Sequence, residues 1–236
     1  MTESGKLYGL GLGPGDPELL TLKAYRILQA VPVVAYPASP DGRCISRSIV
    51  AEYLKPEQIE IPMVLPFKLE LSSQPYYDKM AEDLAEHLSA GRDVAVLCEG
   101  DPFFFGTFMY TFNRLSHRFP TEVVPGVSSV MASAGMLGRP LTYRNDVFMA
   151  IMGTLPAEVI ADRLRGADAA VIMKLGRNFA KVCEVLKEIG LFDRALYIER
   201  ATSIRQNIMP IQDVDPTQVP YFAMIVIPSQ WEWQNG

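Results

Sequence analysis

The chain has little of what metal, disulfide or membrane chemistry requires. Among its 236 residues are only two histidines and three cysteines. Cys44, Cys98 and Cys183 are odd in number, widely separated and without metal spacing, so they read as reduced thiols in a cytoplasmic protein rather than a zinc site or a disulfide framework. Long hydrophobic runs are missing too: a stretch such as Tyr221–Pro228 is far too short to span a bilayer. The polar start, Met-Thr-Glu-Ser-Gly-Lys, predicts no signal peptide. An excess of positive charge is also absent. The formal net charge of −5 argues against a general nucleic-acid binder, while leaving room for an anionic substrate in a locally basic cleft. No low-complexity segment occurs. With 49% hydrophobic and 21% charged residues, the composition is that of a globular protein long enough for one large domain or two smaller ones.

What is present is glycine at two places. Residues 9–17 read Gly-Leu-Gly-Leu-Gly-Pro-Gly-Asp-Pro, with an apolar strand before them and a helix expected after. Asp16 suits an N-cap and Pro17 the first helical position. A second loop, Glu99-Gly-Asp-Pro-Phe-Phe-Phe-Gly-Thr107, again follows an apolar strand. Two such loops at strand carboxyl ends suggest a ligand-binding edge. The spelling is neither Gly-x-Gly-x-x-Gly nor a P-loop, and neither loop carries a Lys or Arg to meet a phosphate. A small ligand without phosphates fits; two helix starts on Asp-Pro caps is the alternative for either loop alone.

Strands and helices alternate through the first half: strands 7–12, 32–36, 58–65 and 93–98, with helices 18–30, 45–54 and 76–90. The last helix has Tyr77, Met80, Ala81, Leu84, Ala85 and Leu88 on one face. The second half repeats the style with strands 121–124, 147–152, 169–175 and 195–199 and helices 128–137, 157–165 and 178–190. Residues 206–213 and 221–227 then read as strands without a long helix between. The pattern predicts two α/β domains with mixed sheets, 1–118 and 119–236. His87, in an amphipathic helix, and His117, near a helix end, read as surface residues.

Four motifs in order, Gly13-Pro-Gly-Asp-Pro17, Glu99-Gly-Asp-Pro102, Val124-Pro-Gly-Val-Ser-Ser129 and Glu199-Arg-Ala-Thr202, resemble the class III, tetrapyrrole-type methyltransferases that use S-adenosylmethionine. Leu7-Tyr8-Gly9, Cys98-Glu99-Gly100 and the run from Ile172 to Asn178 resemble the branch that methylates C20 of precorrin-2. The resemblance implies an active-site cleft between the two domains, S-adenosylmethionine as methyl donor, no metal, a tetrapyrrole substrate, no nucleic-acid or membrane partner, and a homodimer.

The resemblance also implies site residues. Pro14 borders the donor, Gly100 and Asp101 contact its methionine part, and Phe104 lies nearby. Ser128 and Ser129 offer their backbones, with a helix cap as the alternative. Leu175 and the backbone of Ala201, beside Thr202, meet the adenine. On the substrate side stand Tyr36 and Arg144. Tyr36 is followed by Pro37 where several uroporphyrinogen methylases carry an Asp, so a carboxylate base is absent there. Tyr221 is the candidate catalytic residue, as hydrogen-bond partner, proton acceptor or ring orienter, with core packing as its alternative. Carboxylate arms on a flat macrocycle call for Arg and Lys, and Arg43, Arg47, Lys68, Arg139 and Arg144 are the candidates. Methylation of cobalt-factor II is the close alternative; a nucleotide-dependent oxidoreductase or a non-catalytic tetrapyrrole carrier would be a different class.

Overall fold

The computed structural model describes residues 3–64 and 74–230; Lys68 lies outside them. The chain divides into two compact units, Met1–Ser128 and Ser129–Gly236. The first contains β1 (Leu7–Gly11), α1 (Leu22–Ala30), β2 (Val33–Ala38), α2 (Ile45–Ile49), β3 (Ile59–Val64), α3 (Gln74–Ser89), β4 (Val94–Cys98), α4 (Phe108–Leu115) and β5 (Thr121–Val124). Its sheet runs β3-β2-β4-β1-β5, and every pairing is parallel. The expectation of a mixed sheet is corrected here: each strand returns through a helical crossover, so no hairpin reverses direction.

Alternation along the strands gives this sheet two buried faces. Val94, Val96 and Cys98 share one core with Leu7, Val33, α3 and α4. Ala95 and Leu97 share the other with Leu10, Val34, α1 and α2. Burial of Cys98 raises its thiol pKa, as suits a packing residue. The connection from β1 therefore leaves on one face and the connection from β4 on the other. Because β1 and β4 are neighbours, their carboxyl ends form a topological switch point, the place where open parallel sheets bind ligands.

The second unit holds α5 (Ser129–Leu137), β6 (Phe148–Met152), α6 (Ala157–Arg165), β7 (Ala169–Met173), α7 (Phe179–Glu188), β8 (Leu196–Glu199), β9 (Asn207–Met209) and β10 (Ala223–Ile227). Its order is β6-β7-β10-β8-β9. Only β6 and β7 are parallel; the remaining pairs are antiparallel. This is the mixed sheet that the helix-poor end of the sequence predicts. Helices α6 and α7 cover one face and α5 the other. The expected boundary at 118/119 falls before β5, whose parallel pairing with β1 joins it to the first sheet; the contact division falls at 128/129.

Candidate functional site

In the first unit the site is built from backbone. Gly13 and Gly100 form an isolated antiparallel bridge, with the Gly100 N–H donating to the Gly13 carbonyl at 2.7 Å and the Gly13 N–H returning at 3.3 Å. Both have left-handed φ, 77° and 67°, which glycine adopts without steric cost. The two loops that resemble each other in sequence are thus tied together at the switch point. A Cβ on Gly126 would lie 2.1 Å from the Gly100 carbonyl oxygen, and one on Gly11 2.4 Å from the Gly126 nitrogen. Three backbones pass here where no side chain fits.

Asp101 organises this edge. Its Oδ1 accepts from the Phe103 N–H at 2.9 Å and its Oδ2 from the Gly126 N–H at 3.1 Å, so one carboxylate joins the second glycine loop to the turn after β5. Phe103, Phe104 and Phe105 follow with 48, 36 and 42% exposure. Phe104 and Phe105 meet edge to face at 4.8 Å, and Phe105 is held at φ 56°. Pro14 is half-buried beside the bridge. Asp16 does cap a turn at Glu18, but that turn is a short 3-10 segment, Pro17–Leu19; α1 begins at Leu22 on its own cap, Thr21. Gly9 serves packing, because the Phe108 ring lies where its Cβ would be.

On the same unit, Tyr36 ends up buried with its hydroxyl donating to Glu60 Oε2 at 2.8 Å. Arg47 meets both Glu60 oxygens, at 2.5 and 2.9 Å. Burial and the Glu60 carboxylate raise the Tyr36 pKa. Tyr36 and Arg47 line a groove of about 550 Å³ with Ser39, Cys44, Pro62 and Val64. Arg43 is exposed and paired with Asp41. Sequence reasoning assigned no role to Glu99, which accepts the Ser46 N–H at 2.9 Å and whose carboxyl pKa is raised by burial. A lone acid ending an all-apolar strand was the available signal.

In the second unit the features again follow strand ends. Leu175, after β7, is fully buried among Ile151, Ile172 and Phe179, between left-handed Lys174 and Gly176. After β8, Arg200 and Thr202 have φ 45° and 68°. Of the five described non-glycine residues with positive φ, only Arg144 is not in a loop leaving β4, β7 or β8. Strained backbone of this kind collects at ligand sites. Ala201 is 3% exposed, and neither its N–H nor its carbonyl has a partner among the described residues. Buried backbone groups are rarely left so, which marks the turn as a place for a ligand with a donor and an acceptor. Ser128 ends the first unit and Ser129 opens α5. Arg139 and Arg144 are exposed. Tyr221 is 55% exposed, edge to face with Phe222 at 5.1 Å, so it is not a core residue. No group of three or more metal-ligating side chains occurs among the described residues.

A parallel sheet with glycine loops at its switch point, followed by a mixed sheet with strained turns at its strand ends, makes a two-unit α/β scaffold whose strand-end loops are its candidate ligand sites. The chain belongs to the tetrapyrrole (corrin/porphyrin) methylases, whose family model matches residues 6–215. It is 43% identical over 97% of its length to the cobalamin biosynthesis protein CobIJ of Mycobacterium bovis, and covers 47% of that protein; the chain thus spans about half the length of this relative. It is 38% identical to a precorrin-2 C(20)-methyltransferase from Sinorhizobium sp, covering 95% of each. Among solved structures, the uroporphyrin-III C-methyltransferase of Thermus thermophilus, complexed with S-adenosylhomocysteine, matches with a TM-score of 0.69 at 29% identity, over 94% of this chain and 97% of that one.

Proposed function

We propose that this protein transfers a methyl group from S-adenosylmethionine to C20 of precorrin-2, a step of cobalamin biosynthesis. The observation that carries the reading is the Gly13–Gly100 bridge at the switch point, joined through Asp101 to Gly126. The residues fit the donor. The backbones of Gly11, Gly100 and Gly126 pack too closely for a Cβ, which gathers the loops after β1, β4 and β5 at the sheet edge where a ligand would bind, and the buried, unpartnered backbone of Ala201 suits the edge of an adenine.

When bound, S-adenosylmethionine would supply an electrophilic methyl group to an electron-rich ring carbon, with the S–CH3 bond breaking and S-adenosylhomocysteine as the leaving group. The protein's part is alignment and exclusion of water. Gly100 and Asp101 hold the methionine end, with Pro14 and Phe104 at its border. Ser128 and Ser129 add backbone groups, and Leu175, Ala201 and Thr202 serve the adenine. Tyr36 and Arg144 meet the macrocycle. Tyr221 orients the ring or accepts the proton that C20 releases, and its exposure leaves its hydroxyl accessible for either role. The working form is a cytoplasmic homodimer, which light scattering of the purified protein checks; a monomer mass at micromolar concentration overturns it.

The deciding experiment supplies S-adenosylmethionine with metal-free precorrin-2 and, in parallel, with cobalt-factor II. The expected result is one added methyl, located at C20, with the higher kcat/KM on the metal-free ring. Methylation at another carbon refutes the assignment, whereas binding without turnover points to a carrier.

A further inference from the structure

The turn after β8 carries a clamp that the motif alone does not explain. Tyr197 is fully buried, its ring edge to face with Phe179 at 5.5 Å. Its hydroxyl donates to Glu199 Oε1 at 2.7 Å. The two are alternate residues of one strand and so share a face. The other Glu199 oxygen accepts Arg200 Nη1 at 3.0 Å. Arg200 opens the turn: its carbonyl accepts the Ser203 N–H at 3.0 Å, and its own N–H donates to the Phe222 carbonyl at 2.8 Å. The Thr202 N–H donates to Gln206 Oε1 at 2.7 Å. Arg200 and Thr202, both left-handed, flank Ala201, whose backbone is buried and without partners among the described residues.

A β-turn with positive φ at its third position ordinarily carries glycine or asparagine there. Here Thr202 occupies it and Arg200 is left-handed as well, so the conformation must be imposed from outside. Gln206 on Thr202 and Glu199 on Arg200 are side-chain bolts on this turn. A well-packed apolar side chain in place of Glu199 would stabilise the sheet comparably, but it could not grip the Arg200 guanidinium. We propose that Glu199, anchored by Tyr197, is a positioning residue for the methyl donor: it clamps Arg200 and so presents the Ala201 N–H and carbonyl to the adenine. This rests on the reading that Ala201 meets the adenine.

The test is calorimetric titration of S-adenosylhomocysteine into the wild type, Glu199→Gln and Tyr197→Phe, with steady-state kinetics on the same preparations. Loss of a charge-assisted contact predicts a Kd raised about tenfold in Glu199→Gln, a matching rise in KM for S-adenosylmethionine, and kcat at saturating donor within about twofold of wild type, as expected when only uniform binding is lost. Tyr197 acts through Glu199, so the double variant should bind no worse than Glu199→Gln alone. Arg200→Gly, which accepts left-handed φ without strain or a grip on its side chain, should restore much of the affinity lost in Glu199→Gln. Unchanged Kd in folded Glu199→Gln, or lower kcat with Kd intact, overturns the clamp. If Tyr197→Phe fails to fold, Glu199→Gln and its Arg200→Gly rescue decide alone, and failure of that rescue also overturns it. A wild type that binds no S-adenosylhomocysteine overturns the donor reading and the clamp together; a wild type that binds, with variants that bind equally, overturns the clamp only.

Discussion

At the scale of single residues, Asp101 shows how a motif letter becomes a structural part. Both of its oxygens accept backbone N–H groups, one from Phe103 and one from Gly126. Removing the carboxylate in Asp101→Ala leaves two donors without a partner, at about 1–3 kcal/mol for each one that water cannot reach. The expected outcome is a lower melting temperature together with S-adenosylhomocysteine affinity reduced well beyond that of an exposed control such as Asp215→Ala; equal affinities in calorimetry would sink the assignment of Asp101 to the donor site. Gly13, Gly100 and Asp101 are legible in the sequence because glycine and aspartate have few local uses at a strand end. Glu99 and Glu199 each open one of the four motifs, yet their roles are not legible. The partner of Glu99 is Ser46, 53 positions away. The grip of Glu199 on Arg200 has meaning only once both flanks of Ala201 are known to be left-handed. Two of the basic candidates show a related limit: Arg43 and Arg47 look free in sequence, but Asp41 and Glu60 pair with them.

At the scale of elements, the periodicities locate nearly every strand and helix, and the misplacements are local. Helix 18–30 starts later because Leu20 and Thr21 are extended and Thr21 provides the cap. Strand 206–213 shortens to β9 because Pro210 ends it and a 3-10 turn follows. What periodicity cannot show is how elements are fastened sideways. Arg47 on α2, Glu60 on β3 and Tyr36 on β2 make one such fastening. The hydrogen bonds from Arg47, and then that from Tyr36, hold the Glu60 carboxyl below its ordinary value of 4.5. A depressed carboxyl contributes stability that is present above the unfolded value and lost as pH falls through the folded one. Urea midpoints measured downward from neutral pH should therefore fall more steeply below that ordinary value in the wild type than in Glu60→Gln. Parallel curves would show that the fastening adds nothing to stability, the usual result for exposed pairs.

At the scale of the molecule, alternation followed by a helix-poor end suffices for two α/β units, but not for the wholly parallel first sheet or for the place of β5, since strand partnership is a long-range property. Net charge is the one whole-molecule quantity that sequence delivers directly, and its sign has a consequence. The chain carries −5, and the proposed substrate carries several carboxylates, so the average field opposes their encounter. A strongly basic patch could focus the field and reverse this. Two of the candidate arginines are neutralised in place by Asp41 and Glu60, which weakens such focusing, while Arg139 and Arg144 are exposed. Screening shortens the Debye length from about 30 Å at 0.01 M to about 10 Å at 0.1 M salt. Repulsion acting over that range is suppressed, whereas an arginine–carboxylate contact at the site is affected less. The kcat/KM for the tetrapyrrole should thus rise, by less than about threefold, across that salt interval, with KM for S-adenosylmethionine nearly constant because its charge is small. A steep fall in kcat/KM would instead reveal attraction by a basic rim, and the loss of that slope in Arg144→Ala or Arg139→Ala would identify which arginine supplies it.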